Sequence, residues 1–309
     1  MPEKTILLAR NQGFCSGVAT AIEIVECALK KYGSPLYVYH EIVHNTFVVE
    51  QFREQGVIFV ERLCDVPEGS RIIFSAHGIS PSIIAQAESR HLKYIDATCP
   101  LVKKVHREAV RFSDSGRHVI LIGHKGHEEI IGTSGYVRSD LLHCIQNKDD
   151  IEALPLSAST PAAYVTQTTL SRDDASSLIE ELKKRFTDII GPAHEDVCYA
   201  TQNRQDAVKE LAAHSDIIII CGSPNSSNSN RLRETGERAG VASYIIDSAD
   251  ELDPEWIKNK KCIGISSGAS VPEYIVENVI KKIKDLFPKT TVEEIGRVDE
   301  PKIFPLPEI

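Results

Sequence analysis

The chain lacks the signatures by which many cofactor and metal enzymes are recognised. No GxGxxG and no GxxxxGK[ST] follows any expected strand, so hydride transfer from a bound nicotinamide has no Gly-rich cradle to support it. Neither HExxH nor a paired CxxC occurs, and the usual zinc patterns are therefore missing. No apolar run approaches the length of a membrane span, and the first strand, expected by Ile6, leaves no room for a signal or transit peptide. An excess of positive charge is also absent. A net charge of −9 argues against a general nucleic-acid or membrane-surface binder, but it leaves room for an anionic small molecule held by local donors. The expected compartment is the cytoplasm, where thiols stay reduced, so the eight cysteines call for metal binding, catalysis or packing rather than disulfides.

With 309 residues the chain is long enough for two or three domains, since single cores stop growing below this size. Apolar runs of strand length alternate with helical patterns, which reads as repeated β-α units with mostly parallel sheets. Strands are expected at 4–10, 36–40, 57–60, 71–76, 93–97, 118–122, 141–145, 162–166, 216–221, 242–247 and 261–266. Ser16 is placed to cap a helix, Ser171 with Asp174 resembles a capping box, and Pro81, Pro100 and Pro272 suit first helical positions. The runs fall into three similar α/β domains, 1–97, 98–194 and 195–286, each carrying one of three similarly placed cysteines. The stretch 287–309, with its prolines and alternating charges, is expected to be a surface tail.

Those cysteines are Cys15, Cys99 and Cys198, and each sits where a strand-like run gives way to a helix start. Ligands of open α/β sheets collect beyond the carboxyl ends of strands, and helix N-termini stabilise thiolate, the form that binds metal. Three such thiolates suit an iron–sulfur centre better than a catalytic zinc. A cysteine in an apolar stretch is by default a small core residue, and that reading is given to Cys27, Cys64, Cys144, Cys221 and Cys262.

Several strands also end in short polar clusters: FSAHGIS (74–80), GHKGHEE (123–129), TQTTLS (166–171), GSPNSSNSN (222–230) and SSGAS (266–270). With HEIVHN (40–45) they supply imidazoles at His44, His77 and His127, hydroxyls at Thr168, Ser226 and Ser270, and an amide at Asn228. Neutral donors next to helix N-termini suit a phosphorylated ligand. Serines in such loops are by default helix caps, and His40, His91, His106, His118, His143, His194 and His214 are discounted as structural or exposed.

The strings GFCSGV, HEIVHN, FSAHGIS, DATCPLV, GHKGHEE, TQTTLS, CYATQNRQ, NSSNSNRL and SSGAS, in this order between about residues 5 and 285, closely resemble the 4-hydroxy-3-methylbut-2-enyl diphosphate reductase family, also called LytB or IspH. The resemblance implies three α/β domains around a central iron–sulfur cluster, [4Fe–4S] in the active form, held by Cys15, Cys99 and Cys198 with one open iron. It implies a diphosphate bound by His44, His77, His127, Ser226, Ser227, Asn228 and Ser270, a proton-handling acid at Glu129, and Thr168 orienting the substrate hydroxyl. The family motif commonly reads GHxxHPE, and here Glu128 stands where that proline is usual. Glu129 keeps the right spacing, and the two adjacent side chains are expected to point in different directions.

The implied chemistry is reductive removal of an allylic hydroxyl to give isopentenyl and dimethylallyl diphosphate, the last step of the methylerythritol phosphate route. Electrons are expected from a ferredoxin, a flavodoxin or a similar donor. Two rival readings are a zinc-dependent hydrolase built on His124, His127 and Glu129, and a non-enzymatic iron–sulfur sensor.

Overall fold

The computed structural model describes residues 3–298, 300 and 303–309. Among them the strands are β1 Lys4–Ala9, β2 Leu36–Tyr39, β3 Val57–Val60, β4 Arg71–Phe74, β5 Lys93–Asp96, β6 His118–Ile122, β7 Leu142–Ile145, β8 Ala162–Thr166, β9 Ile189–Ile190, β10 Ile217–Cys221, β11 Ser243–Ile246, β12 Cys262–Ser267 and β13 Thr290–Ile295. The helices are α1 Ser16–Tyr32, α2 Thr46–Glu54, α3 Pro81–Ser89, α4 Pro100–Asp114, α5 Glu128–Ser134, α6 Lys148–Glu152, α7 Arg172–Arg185, α8 Tyr199–His214, α9 Ser227–Arg238, α10 Pro254–Ile257 and α11 Glu273–Leu286. The α/β class with mostly parallel sheets holds, and every strand pair is parallel.

The chain folds as two compact units. The first comprises Met1–Ala19, His44–Glu50 and Tyr199–Ile303, and the second Thr20–Val43, Gln51–Cys198 and Phe304–Ile309. The second unit holds two four-stranded sheets, ordered β3-β2-β4-β5 and β7-β6-β8-β9. The first holds one five-stranded sheet, β11-β10-β12-β1-β13. In the two four-stranded sheets the chain starts second from one edge, moves out to that edge, then crosses back, and β10, β11 and β12 repeat this course in the five-stranded sheet, after β1 has been placed near its other edge. The crevice at such a reversal, outside the strand carboxyl ends, is where ligands of open sheets bind. The reversals here lie between β2 and β4, between β6 and β8, and between β10 and β12.

Alternation along the strands builds the cores. Ile217, Ile219 and Cys221 of β10 face Ile275, Val276, Val279 and Ile283 of α11. The intervening Ile218 and Ile220 face Val208 and Leu211 of α8 and Leu232 of α9. In the same way Ile120 and Ile122 of β6 pack on Leu178 and Leu182 of α7, while Val119 and Leu121 pack on Val105, Ala109 and Phe112 of α4. A strand covered on both faces must be apolar throughout, which explains the unbroken IIIIC of β10.

The structure departs from the sequence reading in four places. β1 does not join the sheet of β2–β5; it pairs with β12 and β13. Residues 290–295, expected within a surface tail, form edge strand β13, whose Glu293 and Glu294 are the kind of charges that protect a sheet edge. Asp299, Pro301 and Lys302 of that stretch lie outside the described residues. Ser16 opens α1 rather than capping it, and Cys15 takes the cap, with Val18 N–H 3.5 Å from its Sγ and Ala19 N–H 2.9 Å from its carbonyl. Finally, Cys64 is exposed in a short 3-10 turn, while Cys221 is the fully buried core thiol, its pKa pushed up to about 12 by burial.

Core placement predicts a stability contrast. Ile219→Ala should cost about 2–5 kcal/mol in denaturant unfolding, the usual range for a fully buried isoleucine. Ile131→Ala, at an exposed position of α5, should cost about 0.5 kcal/mol or less. Equal costs would contradict the assignment of faces.

Candidate active site

One hydrogen bond recurs at all three cysteines. Cys99 N–H donates to the Ala76 carbonyl at 3.0 Å, Cys198 N–H to Thr168 at 3.0 Å, and Cys15 N–H to Ala269 at 3.1 Å. Each acceptor lies two residues beyond a strand end: Phe74 of β4, Thr166 of β8 and Ser267 of β12. Each cysteine also immediately precedes a long helix, α4, α8 or α1. All three thiols are half-buried, and none is in a disulfide. Each sulfur thereby stands beside the free N–H groups and partial positive charge of a helix N-terminus.

In the second unit these turns meet the polar strand tips. Glu129, only 2% exposed, points at the end of β8. Thr168 N–H donates to its Oε1 at 2.7 Å and the Thr168 hydroxyl to its Oε2 at 2.9 Å. Burial pushes the Glu129 carboxyl up to about 7; the two Thr168 bonds oppose the rise and the Asp196 charge adds to it. A carboxyl poised there both holds and releases a proton near neutral pH.

Glu128 points elsewhere, as its adjacency to Glu129 implies. Its Oε2 lies 2.8 Å from His77 Nδ1, with Ser75 Oγ 3.3 Å from the same nitrogen, and its Oε1 is 3.9 Å from His40. His40 in turn lies 2.7 Å from Glu61 and adopts a left-handed backbone, φ 59°. The discounted His40 therefore belongs to the surroundings of His77; the one available clue was its place at the tip of β2. His127 caps α5, its Nδ1 accepting Glu129 N–H at 3.2 Å, which leaves the neutral ring's proton on Nε2. The His77 and His127 rings are 6.0 Å apart, edge to face. Gly78, φ 83°, could not carry a side chain, because a Cβ would stand 2.7 Å from the buried His106 ring of α4. The His77 loop thus rests directly on the Cys99 helix.

The first unit gathers His44, Ser226, Ser227, Asn228, Ser270 and Cys15. The Ser270 hydroxyl donates to the His44 carbonyl at 2.9 Å, tying those loops together. Ser226 caps α9, accepting from Ser229 N–H at 3.3 Å, and Ser227 opens that helix. Asn228 is 5% exposed, and neither its amide nitrogen nor its oxygen has a hydrogen-bond partner among the described residues. Leaving both ends of a buried amide unmet costs about 1–3 kcal/mol per group. Gly268 lets the 266–270 loop approach it, since a Cβ there would sit 3.6 Å from the Asn228 nitrogen and 2.1 Å from Ser229 Oγ.

Sequence reasoning missed Arg204. Its side chain is fully buried in the first unit, donating to Gly13 O at 2.8 Å, Gln12 O at 3.3 Å and Ala200 O at 2.9 Å, and pairing with Glu300 at 2.6 Å. It holds the Cys15 loop from behind. A lone arginine in a helix gives no such signal in sequence.

The sequence model described as "LytB protein" matches residues 6–284. A protein of Azoarcus sp. strain BH72 named 4-hydroxy-3-methylbut-2-enyl diphosphate reductase is 50% identical over 100% of this chain and 98% of its own. A Rhodopseudomonas palustris protein of the same name, numbered 1, is 52% identical over 94% and 95%. The solved E-1-hydroxy-2-methyl-but-2-enyl-4-diphosphate reductase from Plasmodium falciparum superposes with a TM-score of 0.94 at 37% identity, covering 99% of this chain and 96% of that one. The chain belongs to the LytB family. That family consists of iron–sulfur reductases, and the chemistry of the chain fits such a cofactor: cysteine thiols at helix starts are the donor type that iron–sulfur centres take. The zinc alternative does not fit. Glu129 turns from the imidazoles to Thr168, and His124, His127 and Glu129 form no metal-holding group among the described residues.

The buried acid predicts a pH effect on stability. The folded-state pKa of Glu129 lies above the ordinary 4.5, so its stabilising contribution is full below that value and is lost as pH rises through about 7. Glu129→Gln lacks this loss. Its melting temperature relative to the unaltered protein should therefore climb between about pH 5 and pH 8. A constant difference would contradict the raised pKa.

Proposed function

We propose that the protein reductively dehydroxylates (E)-4-hydroxy-3-methylbut-2-enyl diphosphate to isopentenyl and dimethylallyl diphosphate, the terminal step of the methylerythritol phosphate route to isoprenoids. The family relationship over the whole chain supports this reading, and the observation that carries it in the structure is the buried Glu129 carboxyl held by Thr168. Losing hydroxide from an allylic carbon requires a proton at the departing oxygen, and a carboxyl poised near neutrality inside the protein supplies one.

The cofactor is read as a [4Fe–4S] cluster with Cys15, Cys99 and Cys198 as its three ligands. When bound, such a cluster supplies single electrons and a Lewis acid. Everything else falls to the chain's own side chains. The unmet amide of Asn228, the capped N-terminus of α9 with Ser226 and Ser227, Ser270, and the imidazoles of His44, His77 and His127 bind the diphosphate. That binding energy is used to orient the allylic alcohol. Thr168 orients the Glu129 carboxyl and, through its hydroxyl, the substrate oxygen. A ferredoxin or flavodoxin-type donor delivers the two electrons. Eight cysteines, none of them in a disulfide, support a reducing, cytoplasmic setting, and no helix among the described residues is long and apolar enough to cross a membrane.

Anaerobic turnover with a reduced dye tests the assignment. Glu129→Gln should lower kcat by about 10²–10⁴-fold, the usual contribution of a general acid. Glu128→Gln, which keeps an acceptor for His77, should leave kcat within about twofold. The reverse pattern would move the acid to Glu128. Asn228→Ala should raise KM by about tenfold or more while leaving kcat close to its original value, as expected for a lost hydrogen bond to a charged group. An unchanged KM would remove Asn228 from the diphosphate site.

A further inference from the structure

We propose that Lys104 is the positioning residue that sets the spacing of Cys99 and Cys198. The inference rests on the reading of these cysteines as metal ligands. Lys104 lies on α4, the helix that starts immediately after Cys99. Its ammonium has three donors, and all three are engaged by one short segment: His194 O at 2.6 Å, Glu195 O at 3.1 Å and Asp196 Oδ1 at 2.9 Å. That segment ends two residues before Cys198.

The far side of the strut is equally fixed. The Asp196 carboxylate is wholly buried, and its second oxygen accepts Thr166 N–H, the last residue of β8, at 3.0 Å. Two residues on, Cys198 N–H bonds to Thr168 O. The Cys198 turn is therefore pinned to β8 at two points, and Lys104 ties it to the helix whose cap is Cys99. Nothing else about Lys104 requires this placement. A cation near the start of a helix opposes the helix dipole, and a solvated lysine would be the cheaper choice. Its neighbour Lys103 turns back to Asp96, 2.7 Å away, which in turn accepts Thr98 N–H at 3.0 Å just before Cys99. Two consecutive lysines thus serve the two cysteine turns of this unit, one each. Lys104 is the one that joins them.

The test uses the full chain, reconstituted anaerobically with iron and sulfide. The variants are Lys104→Arg, Lys104→Met and the double variant Lys104→Met with Asp196→Leu. The double variant leaves no buried unpaired charge, a replacement that proteins commonly tolerate, so it serves if the single Met variant fails to fold. Circular dichroism of the apo-proteins identifies the folded variants. The measured quantities are the rate of iron release to a chelator and the EPR spectrum of the reduced form. Loss of the strut should speed iron release about tenfold or more, the usual scale for groups that orient ligands, and should broaden or shift the reduced signal. Lys104→Arg should restore both, because arginine can reach the same carbonyls and carboxylate.

A folded Met or double variant with unaltered release rate and spectrum would overturn the proposal. Cys99→Ser and Cys198→Ser, measured alongside, separate the two levels of the argument. If these keep full iron, the ligand reading fails. If they lose it while the lysine variants match the original protein, only the strut fails.

Discussion

All three candidate cysteines are placed by the same backbone hydrogen bond. A cysteine N–H is held by the carbonyl two residues beyond the end of a strand, at Ala76, Thr168 and Ala269. Because the donor is the cysteine's own amide, the sulfur's position follows from sheet geometry rather than from side-chain packing. Because the acceptor sits in a polar tip loop, the same bond fixes each thiol relative to a neighbouring functional side chain. His77 follows Ala76, Ser270 follows Ala269, and Thr168 is itself the partner of Glu129. A long helix starting directly after each cysteine then sets its positive N-terminal field beside the sulfur. Sheets that share this reversal thus generate the same local solution without sharing sequence.

The two adjacent glutamates show how burial separates roles. Glu129 is enclosed, its carboxyl accepting from Thr168 and pushed up to about 7 by desolvation. Glu128 keeps partial solvent access and meets the His77 imidazole. Environments that drive neighbouring carboxyls apart are how one fold obtains both a proton donor and a fixed charge. Glu128 sets its carboxylate next to His77, while the buried Glu129 keeps to Thr168.

Much of this was legible in the chain. The strand, cysteine, helix sequence at Cys15, Cys99 and Cys198 reports a position rather than a pattern of spacing, and sheets with the same reversal place those positions alike. The polar tips were legible because hydroxyls, imidazoles and amides directly after buried apolar strands have no role in a core. Other features were hidden for physical reasons. β9 has two residues, too few for periodicity, and β13 carries charges because it is an edge. The pairing of β1 with β13 is a contact across most of the chain length, which no local signal encodes. Cys15 as the α1 cap was masked by Ser16, the better capping residue by type. Arg204 and Lys104 read as ordinary helix-surface cations, and only the fold shows that their charges are spent on the cysteine loops.

The most direct test of the central claim is the metal content of the anaerobically purified protein, measured as iron and acid-labile sulfide per chain together with the EPR of the reduced form. The account predicts a brown protein with about four irons and four sulfides per chain and a reduced cubane signal, as expected for a [4Fe–4S] centre. A colourless protein carrying zinc, or one with neither iron nor sulfide after reconstitution, would contradict it.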